Sequence, residues 1–245
     1  MSDTLEGKIV LVTGASSGIG RATALALSKA GAQVAVGARR ADRLKDVAQD
    51  APGEILVVEL DVTDEQSVQE AVAATVERFG ALGAVVNNAG IMLSGAILGA
   101  DTTEWTRMID TNLLGSMYTV HAALPHLLES KGAVVQISST SGRISSAASG
   151  VYAATKFGIT AFAEALRQEV TTQGVRVVVV EPGFVSTELT SHITDPNIQA
   201  AAKNMAESMR TLQPEDIAAA VVYALTQPAH VAVNEILIRP TDQTR

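Results

Sequence analysis

The sequence contains no cysteine. Disulfides, thiolate nucleophiles and thiolate metal sites are therefore excluded together. Aromatic residues are nearly as scarce, at 3% of 245 residues with a single tryptophan, Trp105, so Val, Leu, Ile and Ala have to fill the interior. Apolar runs stay short. None approaches the ~20 residues that span a bilayer, and the opening MSDTLEGKIV lacks a basic segment followed by an apolar one. The expectation is a cytoplasmic protein with no membrane partner. Positive charge is also in deficit: the formal net charge is -8, and no cluster of Lys and Arg offers the surface that a nucleic-acid backbone requires. The four histidines, His121, His126, His192 and His230, show no ligand spacing, so no metal site is expected and they read as structural or solvent-facing. His192 is the partial exception, because it falls in a polar segment that reads as a lid.

What is present is a regular alternation. Short Val/Ile-rich runs (KIVLVTG, AQVAVGA, EILVVEL, GAVVNNAG, GAVVQISS, VRVVVVEPG and NEILIRP) are separated by stretches with helical spacing, among them 21–30, 65–79, 101–128, 152–172 and 214–225. Strands that are apolar throughout are covered on both faces, and helical crossovers force parallel pairing. The pattern predicts an α/β fold of Rossmann type: a doubly wound parallel seven-stranded sheet with helices on both faces, in one domain over 1–245. No linker or repeat divides it. The polar stretch 186–210, weak in periodicity, is the candidate lid.

Ligands of such a sheet bind beyond the carboxyl ends of the strands. The first of those loops reads TGASSGIG, residues 13–20, spaced G-x-x-x-G-x-G. Gly14, Gly18 and Gly20 allow a tight turn and close backbone approach, with Ser16, Ser17 and Ile19 between them, and aim a helix N-terminus at a pyrophosphate. The alternative is a turn that only reverses the chain. After the second strand the chain reads GARRADR, with no acid to take a ribose 2'-hydroxyl. Arg39, with Arg40 beside it, instead offers a fork suited to a 2'-phosphate, which favours NADP(H) over NAD(H). Basic residues opposing a helix macrodipole at its start need some such reason.

VYAATKFG, residues 151–158, places Tyr152 and Lys156 one helical turn apart on one face. A phenol with pKa near ~10 is a poor proton carrier at neutrality. An ammonium at ~4 Å, worth about 4 kcal/mol at an effective dielectric of 20, would favour the phenolate by roughly three pKa units. The expectation is a tyrosine activated by its lysine. Ser139 lies thirteen residues earlier at a strand end, and strand alternation lets only one of Ser138 and Ser139 face the cleft. The gap to Tyr152 favours Ser139.

With these motifs in register, the chain resembles the single-domain branch of the short-chain dehydrogenase/reductase family: Thr13 to Gly20, Asn87 to Gly90, Ser139, Tyr152 to Lys156, and Pro182 to Thr187 follow that family's order. Within it, DTTEWTRMIDTNLLG, AALPHLLESKGAVVQISS and EILIRPTDQ look most similar to the NADP-dependent clavulanic acid dehydrogenase subgroup. The C-terminal VAVNEILIRPTDQTR departs from the family's usual V-D-G-G, as that subgroup does. The resemblance implies a reductase or dehydrogenase acting on a carbonyl or secondary alcohol with NADP(H). Tyr152 would be the general acid, Ser139 would bond the carbonyl oxygen, and Lys156 would lower the tyrosine pKa and hold the nicotinamide ribose. Asn112 would kink the fourth helix and hold a water in a proton relay. Asp61, with Val62 beside it, would lie near the adenine, although an N-cap for the next helix is the other reading. Asn88, Ala89 and Gly90 would line the cofactor cleft, Pro182 and Gly183 would shape a turn, and Thr187 would bond the carboxamide. A homotetramer is implied as well. Trp105 reads as a packing residue, and substrate shape falls to the loops 91–99, 140–150 and 186–210.

Overall fold

The computed structural model describes residues 4–244; residues 1–3 and 245, which the single-domain reading also takes in, lie outside the described residues. Seven strands form, each on one of the apolar runs: β1 (Ile9–Thr13), β2 (Gln33–Ala38), β3 (Ile55–Glu59), β4 (Ala84–Asn87), β5 (Ala133–Ile137), β6 (Arg176–Pro182) and β7 (Glu235–Ile238). They make one sheet in the order 3-2-1-4-5-6-7, parallel throughout. The order reverses between β1 and β4, which opens a crevice above their carboxyl ends.

Among the described residues, eight α-helices connect the strands: α1 (Gly18–Lys29), α2 (Ala41–Asp50), α3 (Glu65–Phe79), α4 (Thr102–Ile109), α5 (Gly115–Ser130), α6 (Gly150–Val170), α7 (Pro196–Glu207) and α8 (Pro214–Thr226). Strand alternation divides the interior in two. Val10 and Val12 of β1 join Leu27, Leu44, Ile217 and Val221 under α1, α2 and α8, whereas Ile9 and Leu11 join Val68, Val72, Val120, Leu127 and Leu166 under α3, α5 and α6. Both faces are dry, as continuous apolar strands require. A third, smaller cluster of Leu93, Met108 and Tyr152, with Trp105 packed against it, sits at the carboxyl end. Trp105 is thus a packing residue, but one packed beside Tyr152.

Three segments add detail to the sequence reading. Helix α2 forms over ADRLKDVAQD, burying only Leu44 and Val47. The long helix expected over 101–128 forms as α4 and α5 joined by a wide turn over Asp110–Leu114, around the Asn112 at which the resemblance implies a kink; Gly115 N–H there reaches back to the Asp110 carbonyl, a π-type insertion. The expected lid 186–210 contains a short 3₁₀ turn, Glu188–His192, followed by α7, which has no buried residue. Capping also corrects one alternative: the N-cap of α3 is Asp64, whose side chain accepts from Gln66 and Ser67 N–H, and not Asp61.

Candidate active site

The crevice between β1 and β4 is a cavity of about 450 Å³. Its floor is the glycine-rich turn. Gly14 has φ +66, and a Cβ there would lie 2.7 Å from the Ala89 Cα; a Cβ on Gly20 would lie 2.4 Å from the Gly14 carbonyl. The turn and the loop after β4 therefore interlock without side chains between them. Asn88 fastens them, its amide donating to the carbonyls of Thr13 (3.0 Å) and Gly14 (3.2 Å), while Thr13 Oγ1 accepts from the N–H groups of Asn88 and Ala89. No side chain caps α1. Its first amide groups face the cavity bare, at the positive end of the helix dipole, so the cradle fits a dinucleotide pyrophosphate.

Every site residue read from the sequence lines this cavity except Gly20 and Asn112. Gly20 lies behind the turn and is needed for its closeness. Asn112 is buried, with its side chain fully engaged: Oδ1 accepts from Ile91 N–H at 2.8 Å, and the amide donates to the Ile91 carbonyl at 2.9 Å and Thr155 Oγ1 at 3.2 Å. It pins the loop after β4 to α6. The same loop approaches so closely that a Cβ on Gly90 would lie 3.3 Å from Asn112 Oδ1. Asp61 lines the far end, its Oδ1 accepting from Thr63 N–H and Oγ1.

At the other end stand the serine, tyrosine and lysine. Ser138 turns away, hydrogen-bonding Thr160 Oγ1 at 2.8 Å and the Lys156 carbonyl at 3.3 Å, while Ser139 bonds the Tyr152 phenol and accepts from Ser141 N–H at 3.0 Å. Its loop is held from behind by Arg143, which donates to the fully buried Glu181 at 2.7 Å and pairs with Glu235. Lys156 Nζ lies 5.7 Å from the centre of the Tyr152 ring and donates to the Ile137 carbonyl at 2.9 Å.

The electrostatics run against the simplest expectation. Burial pushes the Tyr152 phenol up to about 12, with the Ser139 hydrogen bond acting in the opposite direction. Lys156, equally buried, is pulled down to about 8 by desolvation. Here the cost of removing charge from water outweighs the attraction expected from the i, i+4 spacing. The phenol keeps its proton at neutral pH.

Beside the turn, Arg40 donates to Ser16 Oγ (2.9 Å) and Ser17 Oγ (2.9 Å) and pairs with Glu188. Arg39 reaches the same cavity. Sequence reading missed the pairing of Arg43 with Glu188, which crosses 145 residues, and the apolar wall Phe184; Met92 and Leu189 line the cavity from the loops 91–99 and 186–210 to which substrate shape falls. His192 also lines the cavity; burial first, then the nearby Arg40, lowers its pKa. Among the described residues no helix is long and apolar enough to cross a membrane.

A cleft of this kind, at the switch point of a doubly wound sheet, places the protein in the class of dinucleotide-dependent oxidoreductases. A family model described as short chain dehydrogenase matches residues 8–198, and the chain belongs to that family. An uncharacterised oxidoreductase of Staphylococcus aureus (strain MW2) is 42% identical over 238 residues, which cover 96% of this chain and 98% of that one. Among solved structures, an alcohol dehydrogenase from the archaeon Thermococcus sibiricus complexed with 5-hydroxy-NADP is 32% identical, with a TM-score of 0.87 over 97% of this chain and 98% of its own. The closed form of a serine dehydrogenase complexed with NADP+ is also 32% identical, with a TM-score of 0.91 over 97% and 96%.

Proposed function

We propose that the protein is an NADP(H)-dependent carbonyl reductase of small molecules, working with Tyr152 as the proton donor. The observation that carries this reading is the Tyr152 phenol, buried beside Ser139 at the end of a cavity whose other end is lined by the glycine-rich turn, Arg39 and Arg40. Gly14, Gly18 and the bare start of α1 would hold the pyrophosphate, with Val62, Ala89, Pro182 and Gly183 shaping the walls. Arg39 and Arg40, with Ser16 and Ser17, would hold the 2'-phosphate, and Asp61 would lie at the adenine end. Lys156 would hold the ribose and Thr187 the carboxamide. When bound, the nicotinamide supplies the hydride. The chain's own part is to orient the substrate oxygen through Ser139 and to pass it the Tyr152 proton as charge develops there. Asn112 serves as a positioning residue, because its side chain fixes both Ile91 and Thr155, the neighbour of Lys156.

Solved relatives complexed with 5-hydroxy-NADP and NADP+ support the choice of cofactor, and the polar stretch 186–210 would serve as the lid. A homotetramer and a cytoplasmic site of action complete the proposal on kinship. The walls Met92, Phe184 and Leu189 suit a carbonyl flanked by apolar groups. The test is a panel of aldehydes and ketones, including a clavulanic-acid-type aldehyde, followed by loss of NADPH absorbance; the apolar members should turn over, and a panel without turnover would refute the reading. For the cofactor, Arg39→Asp should weaken NADPH binding roughly ten- to a hundredfold, the scale of a lost charge-assisted contact, and NADH binding much less. Equal losses for the two would remove the basis for NADP(H).

A further inference from the structure

One polar contact at the cleft is not used by the chemistry above. Glu188, the first residue of the turn after β6, sends one carboxylate oxygen to Arg40 at 3.1 Å and the other to Arg43 at 2.7 Å. One residue earlier, the Thr187 methyl lies beside Gly18, 3.2 Å from where a Cβ would stand. The chain after β6 thus lies down over the glycine-rich turn and is fastened to the far wall. The anchoring Arg40 is the same one that donates to Ser16 and Ser17. A carboxylate therefore occupies an anion position made by two guanidiniums next to two hydroxyls, and carboxylates and phosphates are matched by the same guanidinium fork. Glu188 is held well below the usual carboxylate range, to about 2, by hydrogen bonds from Arg43 and then Arg40, so its charge is constant at working pH. Both ion pairs are nearly half exposed, which makes them weak enough to be exchanged.

We propose that Glu188 is an internal competitor for the 2'-phosphate of NADP(H), a strap that holds Arg40 and Arg43 until that phosphate displaces it. The proposal rests on the NADP(H) reading above. Displacement frees the turn Glu188–His192, which carries the cavity-lining Leu189, Thr190 and His192, so occupation of the phosphate end loosens one wall of the substrate end. Because such coupling is reciprocal, removing the strap must tighten the phosphate.

The probes are 2',5'-ADP, which carries the 2'-phosphate and no nicotinamide, and 5'-AMP, which lacks it. By calorimetry, Glu188→Gln should bind 2',5'-ADP roughly two- to fivefold more tightly than the wild type, the range of an exposed ion pair, with 5'-AMP nearly unchanged. In the wild type, 2',5'-ADP should speed amide hydrogen exchange over 188–192. Equal tightening of both nucleotides, no tightening of either, or exchange that is unchanged or slower would overturn the strap. If 2',5'-ADP binds wild type and variant alike, the strap alone falls. If it binds neither while NADH binds both, the NADP(H) reading falls with it.

Discussion

Replacing Tyr152 with phenylalanine should lower kcat/KM for carbonyl reduction by roughly a hundred- to ten-thousandfold, the usual worth of a positioned proton donor. The ring itself has a packing role beside Leu93, Met108 and Trp105, which phenylalanine keeps, so the fold and NADPH affinity should survive. The loss then belongs to the hydroxyl. Titrating Trp105 fluorescence with NADPH separates the two, because the only tryptophan packs against that cluster. Retained turnover would show that another group carries the proton; lost NADPH binding would show that the phenol serves the cofactor and not the reaction.

Lys156→Met should have two effects of opposite value. Reduction should fall by roughly a hundredfold or more, as the ammonium beside Tyr152 disappears. Stability at pH 7 should rise. Lys156 titrates at about 8 in the folded chain against an ordinary 10.5, so the folded state binds its proton less well than the unfolded state does. Below pH 8 that mismatch costs the fold about 3 kcal/mol, and the cost fades as pH climbs from 8 to 10.5. Methionine removes the charge and retains the bulk, but it leaves the Ile137 carbonyl without its 2.9 Å donor, which returns about 1–2 kcal/mol. Urea unfolding should therefore show the variant about 1–2 kcal/mol more stable at pH 7, with the advantage gone by about pH 10. Tyr152 does not disturb the comparison, since its raised pKa acts only above pH 10 and is present in both proteins. A stability difference that does not change with pH would mean that the buried ammonium costs the fold nothing.

These two residues also show where sequence reading succeeds and stops. That Tyr152 and Lys156 share a face follows from helical spacing alone. That desolvation dominates their charges does not, because it depends on walls contributed by Leu93, Met108 and the carbonyl of Ile137. The seven strands are legible because each is a short apolar run covered on both faces. Helix α2 is legible only at its start, after Arg39 and Arg40, since ADRLKDVAQD buries only two side chains, and α7 is not legible, because it buries none and so leaves no periodic trace in the polar stretch that holds it. Spacing selects Ser139 over Ser138, and the structure adds the reason: Ser138 is bound to α6. Arg43 and Glu188 carry no signal at all, since only the folded chain brings an acid after β6 to a base on α2.

The wide turn at Asp110–Leu114 sets the angular phase between two helices. Upstream, α4 presents Met108 to the tyrosine cluster; downstream, α5 presents Val120, Ala123 and Leu127 to the sheet. Each α-helical residue advances about 100°, so deleting one residue here would regularise the coil but swing those three side chains away from the strands. Exchange of one residue for another at this spot leaves that phase intact, whereas a change of chain length does not. The wide turn around Asn112 is in this sense a fixed gear ratio between the tyrosine cluster and half of the core.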